Sequence, residues 1–182
     1  MSKKEVIAKI IAVFRNYGYE GATISRLSEA TGLKKASLYH HFQGGKEQMA
    51  GAVLEYIGDW FEENVFAPLQ SNQPASVRIK VMSQKIDEFY DSGQIPCVLA
   101  VMSLGEADNL FHQQLEKSLK KWIDALSEVI EETGVEPKQA RQRAEDSMIL
   151  IQGALVLVRV TKNTKPFKRA IAKLPQVLLD DL

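Results

Sequence analysis

Apolar residues in this chain recur every three to four positions along nearly its whole length, and no stretch shows the strand-turn-strand alternation of a sheet. That pattern predicts an all-α fold of about nine helices. Val6, Ile7, Ile10, Ile11, Phe14 and Tyr17 line one face of a first helix, which Gly18 ends. Ile24, Leu27 and Ala30 line a second, and Leu38 and Phe42 form the inner side of a third. A fourth starts at Gly45 or Lys46 and runs through Val53, Ile57, Trp60, Phe61 and Val65 to Pro68. A fifth covers 76–91, and a short apolar segment covers 97–106. A long helix then carries Phe111, Leu115, Leu119, Trp122, Leu126 and Ile130. Residues 137–160 form the eighth, and a ninth runs from Phe167 to about Leu179, with Pro175 as a kink or stop.

The most specific segment is 23–42. Thr23 is placed to cap one short helix, Gly32 stops it where a left-handed residue is needed, and a second short helix follows at once. Two short helices on a glycine turn make a helix-turn-helix, which lays its second helix against DNA. The side of that helix opposite Leu38 and Phe42 carries Lys35, Ser37, Tyr39, His40 and His41, all able to donate to phosphate oxygens or base edges. Neighbouring residues on a helix diverge by about 100°, so His40 and His41 cannot share a metal ion from one helix. With three histidines in the chain, no metal site is expected.

The net charge is zero, yet it is unevenly spread: residues 1–50 hold eight Lys/Arg and four Asp/Glu, residues 51–182 fifteen and nineteen. A basic head is drawn to phosphates and an acidic body is repelled, which helps orient the protein on a duplex. The longest apolar run, 148–160, contains Gln152 and Arg159 and falls short of the ~20 residues a membrane span needs. No membrane association is expected, and no export signal, since Lys9 interrupts the apolar stretch 6–14. The one cysteine, Cys97, cannot form an intrachain disulfide and suits a reducing cytoplasm, the expected location.

Gly21-Ala22-Thr23-Ile24, then Ala30-Thr31-Gly32-Leu33, then Ser37-Leu38-Tyr39-His40-His41-Phe42, with Lys46-Glu47 opening the next helix, resembles the tetracycline-repressor (TetR) family of bacterial transcriptional regulators. The resemblance is strong over residues 4–55 and beyond that rests on helix count and length. Two positions depart from the usual pattern. Lys34 stands where most members have a small hydroxyl residue, so the third helix lacks its usual N-cap. Gln43-Gly44-Gly45 puts three residues before Lys46 where two are common, a loop similar to that of the branch with lincomycin-resistance and flavonoid-responsive repressors.

The resemblance implies a DNA-binding domain at 1–46 and a ligand-binding and dimerisation domain at 47–182. It implies DNA contacts from Thr23, Ser25, Lys34, Lys35, Ala36, Ser37, Tyr39, His40, His41 and Lys46. It also implies a homodimer on a palindromic double-stranded operator, released by a small-molecule inducer. The eighth and ninth helices are then the dimer pair, with Ser147, Ile151, Ala154, Leu155 and Val158 as a face of small residues for close approach. Inducer-wall candidates are Trp60, Phe61, Phe89, Tyr90, Cys97, Met102, Phe111 and Trp122, although aromatics at helical spacing usually pack in the core. No Lys/Arg cluster on an apolar face announces an anionic effector, so a neutral, lipophilic or planar compound is expected, and no cofactor. A redox sensor acting through Cys97 is the alternative; its apolar setting after Pro96, without a nearby base, argues for an inert thiol. An enzyme lacks support, because no paired-carboxylate, HExxH, phosphate-loop or nucleophile-elbow pattern occurs.

Overall fold

A computed structural model describes residues 1–179. Nine helices and no strand occur among them, in agreement with the expected fold. They are α1 (Lys3–Gly21), α2 (Ile24–Thr31), α3 (Lys35–His41), α4 (Gly45–Phe61, continuing through a π-helical turn Glu62–Phe66 and a last turn Ala67–Leu69), α5 (Ala75–Phe89), α6 (Val98–Met102), α7 (Gly105–Glu131), α8 (Pro137–Thr161) and α9 (Lys165–Leu179). The chain forms two compact units: residues 1–59 with 97–115, and residues 60–96 with 116–182. These units cut the chain elsewhere than at residue 46. Both α4 and α7 contribute to each.

In the first unit α1 starts with a capping box: the Ser2 hydroxyl accepts the Glu5 N–H at 3.3 Å, and the Glu5 carboxylate accepts the Ser2 N–H at 2.6 Å. Its inner face is Val6, Ile10, Val13, Phe14 and Tyr19. Helical geometry breaks at Gly18, and one more turn carries the chain to Gly21. The break turns Tyr19 inward and leaves Tyr17 half out, at 53% exposure, with the Arg26 guanidinium 4.2 Å over its ring. The α2 stripe likewise differs by one position from the pattern read in sequence. Ala30 is exposed, and Thr31 takes the inner place because its hydroxyl donates to the Leu27 carbonyl at 2.8 Å and so enters the core satisfied. Gly32 caps α2 with φ 71°, where a side chain would be strained. α6 packs along α1, and α2 packs on both α1 and α3.

In the second unit α9 lies against α8 and α5. Ile79, Met82, Ile86, Leu126, Ile130, Ile151, Phe167 and Leu174 are buried there. Pro175 sits inside α9 without ending it. The five residues expected at a dimer interface, Ser147, Ile151, Ala154, Leu155 and Val158, are at most 6% exposed within the single chain. Small residues on that face let the chain's own helices approach, and the Ser147 hydroxyl is satisfied by the Ala144 carbonyl at 2.7 Å. The opposite face of α8 is apolar as well, with Ile149, Val156, Leu157 and Val160 at 50–75% exposure.

Candidate nucleic-acid interface and ligand-binding region

The helix-turn-helix is held from below by Leu27, Leu38 and Phe42, all fully buried. That anchoring turns Lys35, Ala36, Tyr39 and His40 to solvent and leaves Ser37 and His41 half-buried. Thr23 caps α2, its hydroxyl oxygen accepting the Arg26 N–H at 3.3 Å, and Ser25 is exposed in the first turn. Lys34 stands at the N-cap of α3 in extended geometry without a side-chain cap, as its residue type predicts. The His40 and His41 rings lie 6.0 Å apart at 66°. No group of three metal-ligating side chains occurs among the described residues.

Lys46 is less free than its position suggests. Its ammonium sits 3.9 Å over the Tyr19 ring, in a cation–π contact. Tyr19 in turn meets Phe111 edge-on at 6.0 Å, and burial, aided by Glu106, Glu47 and Glu20, pushes its hydroxyl pKa up. Beside it, a Glu20 carboxylate oxygen accepts the Glu106 N–H at 2.6 Å, at the start of α7. Its own backbone N–H and that of Glu106, together with the Lys46 charge, hold the Glu20 carboxyl below the usual carboxylate range. This joint of Tyr19, Glu20 and Lys46 is invisible in sequence, since it pairs residues 86 apart. A carboxyl with a depressed folded-state pKa adds stability above its unfolded value, near 4.5, and loses it as pH falls through the lower folded value. Thermal unfolding followed from pH 6 to 3 should therefore show a shallower acid decline in Glu20→Gln than in the parent protein.

The expected inducer-wall residues divide between the two units. Cys97, Met102 and Phe111 are buried in the first, at 4%, 1% and 7% exposure. Trp60, Phe61, Phe89, Tyr90 and Trp122 form one connected ring cluster in the second, with successive centroids 4.5–5.5 Å apart. Elsewhere in that unit an open cleft of about 470 Å³ is lined by Leu69, Gln70, Ser71, Asn72, Gln73, Arg78, Ala125, Glu128, Val129 and Glu132. None of the expected residues faces it. Arg78 is buried there, donating to the Leu69 carbonyl at 2.8 Å and to Glu132, whose carboxyl it holds below the usual range. No helix among the described residues is long and apolar enough to cross a membrane.

Residues 6–53 match the family of bacterial regulatory proteins called tetR, and residues 75–173 match the C-terminal domain of LmrA/YxaF-like transcriptional regulators. The chain is similar to the transcriptional regulator LmrA of Bacillus subtilis, 23% identical over 97% of this chain and 96% of that protein. It is similar also to the transcriptional repressor DhaR of Mycobacterium sp., 24% identical over 97% of this chain and 92% of that one. A TetR transcriptional regulator from Legionella pneumophila shares the fold with TM-score 0.82 at 22% identity, over 97% and 96% of the two chains. AibR, in complex with isovaleryl coenzyme A and operator DNA, does so with TM-score 0.67 at 21% identity, over 97% of each. These relatives are regulators, not enzymes. Matched at both ends by such models, the chain belongs to the TetR family of transcriptional regulators, with a C-terminal domain like that of LmrA and YxaF.

Proposed function

We propose that the protein is a cytoplasmic repressor that binds a palindromic operator as a homodimer and is released by a small, uncharged inducer. The observation that carries the reading is the α3 surface, where Lys35, Tyr39 and His40 are exposed while Leu38 and Phe42 are buried, with His40 on the side opposite them. A second copy joins along the apolar outer face of α8, at Ile149, Val156, Leu157 and Val160. Two recognition helices must stand about 34–36 Å apart to enter successive major grooves. An inducer that binds better when that spacing is wrong weakens DNA binding by the factor by which DNA weakens inducer binding. AibR, with isovaleryl coenzyme A and operator DNA in one complex, is a relative in fold that uses both kinds of partner. Cys97, at 4% exposure, is poorly placed to meet an oxidant, which favours a small molecule over the redox alternative.

The test is affinity for a duplex spanning the promoter of the protein's own gene, measured over a range of salt concentrations. Lys35→Ala should weaken binding and make the slope of log K against log salt shallower by about 1, as loss of one phosphate contact does. Tyr39→Phe should weaken binding about tenfold while leaving the melting temperature unchanged. Unaltered affinity in both variants would remove α3 as the reading surface.

A further inference from the structure

Six cations crowd the corner where α8 turns into α9. Arg159, Lys162, Lys165, Lys168, Arg169 and Lys173 are all exposed, and no Asp or Glu occurs in the sequence between Asp146 and Asp180. The segment before it, 51–146, has the opposite balance, nine Lys/Arg against seventeen Asp/Glu. Elsewhere in the second unit Lys85, Lys120, Lys121 and Arg141 each rest on a carboxylate. None of the six is in an ion pair among the described residues. The dipole of α8 favours Arg159 and Lys162 at its C-terminal end, but that of α9 works against Lys165 and Lys168 in its first turn. Like charges one turn apart also repel, so an anion from outside would relieve the arrangement.

On α9 the buried face is Phe167, Ala170, Ile171, Leu174 and Leu178, packed on α8 and α5. Lys165, Lys168, Arg169 and Lys173 follow one another at helical spacing on the exposed side. They run ~12 Å along the axis, the rise of about three to four base pairs. We propose that this face is a second phosphate-binding surface, which takes the backbone of duplex DNA independently of its sequence and outside the helix-turn-helix. Exposed lysines and arginines hold phosphate oxygens without reading bases. Two other occupants fit less well. A membrane-surface helix keeps an apolar face for the lipid, and that of α9 is buried inside the unit. A second copy seated here about a two-fold axis would set these cations against their own copies. That the duplex is the operator rests on the function proposed above; the phosphate contact itself does not.

Affinity of the full-length protein is measured over a range of salt concentrations for the promoter duplex and for a duplex of the same composition in shuffled order. Lys165→Gln/Lys168→Gln/Arg169→Gln should lower affinity for both about tenfold, make both slopes of log K against log salt shallower by about 2, and leave the ratio of the two affinities unchanged. The charge-retaining Lys165→Arg/Lys168→Arg/Arg169→Lys should keep the parent's slope, with equal helix content by circular dichroism throughout. Lys80→Gln/Lys117→Gln/Lys138→Gln removes as much charge from exposed sites elsewhere in the unit and should change the slope much less. An unchanged slope in the first variant, or an equal change in the third, overturns the proposal. So does loss of binding to phosphatidylglycerol vesicles in the first variant with both duplex slopes intact, which would assign the face to a membrane. Equal parent affinity for the two duplexes, with the slope still falling in the first variant, would leave the surface standing and remove the operator. A parent protein that binds neither duplex removes both.

Discussion

Val156→Glu is expected to turn the proposed dimer into a monomer in solution while leaving its helix content and melting temperature close to the parent's. Val156 is 60% exposed on a face of α8 that also shows Ile149 at 69%, Leu157 at 50% and Val160 at 75%. These residues stand at the three- and four-residue spacings of one helical stripe, the form an unpartnered helix face takes when it awaits another helix. A two-fold interface repeats every residue, so one substitution places two carboxylates in the apolar contact, where an unpaired charge is costly. A monomer grips only half of a palindrome, and losing the second grip lowers duplex affinity by about a hundredfold or more. Ala154→Glu, two positions away, should behave oppositely. Ala154 is 6% exposed and faces this chain's own interior, so the carboxylate would disrupt the fold instead of the assembly. Sedimentation velocity with circular dichroism separates the two outcomes. A Val156→Glu protein that stays dimeric would show that the stripe is not the interface.

Gly93→Ala should lower the melting temperature by on the order of 10 °C. Gly93 has φ 91°, and a Cβ there would stand 2.7 Å from Phe167 Cβ, 2.8 Å from its Cγ and 3.2 Å from Val158 Cγ2. The left-handed backbone costs an L-residue about 1–2 kcal/mol, and overpacking adds about 1–3 kcal/mol. For a chain of this size each kcal/mol moves the melting temperature by about 2–4 °C. Gly58→Ala is the natural control. Gly58 lies within α4 with no atom of the described residues within 4 Å of a new Cβ, so alanine there should be neutral or stabilise by about 0.5–1 kcal/mol. Equal losses in the two variants, read by thermal circular dichroism, would mean that contact with Phe167 does not set the cost.

Much of the fold was readable because it is written locally. Helix periodicity, the Thr23 and Gly32 caps and the missing cap at Lys34 each depend on residues within one turn, and all are found as read. The misreadings share a cause. Tyr17 and Ala30 fit an apolar stripe in sequence, but a break at Gly18 and a self-satisfied Thr31 rotate the true inner face by one or two positions. On α8 both faces are apolar, so periodicity alone could not say which one the chain keeps for itself. Ile149, Val156 and Val160 form one exposed stripe, and the small residues lie on the buried face.

The sequence by itself determined an all-helical chain with a DNA-reading segment at 23–42, because capping, left-handed turns and three-to-four spacing are short-range properties of the backbone. It determined the family too, through the same short motifs. Only the tertiary structure decided which face of α8 remains open, that Lys46 rests on Tyr19, and that the Trp122 N–H lacks an acceptor among the described residues. Each of these depends on which distant residue arrives beside a side chain, and burial and partnering are settled by that arrival.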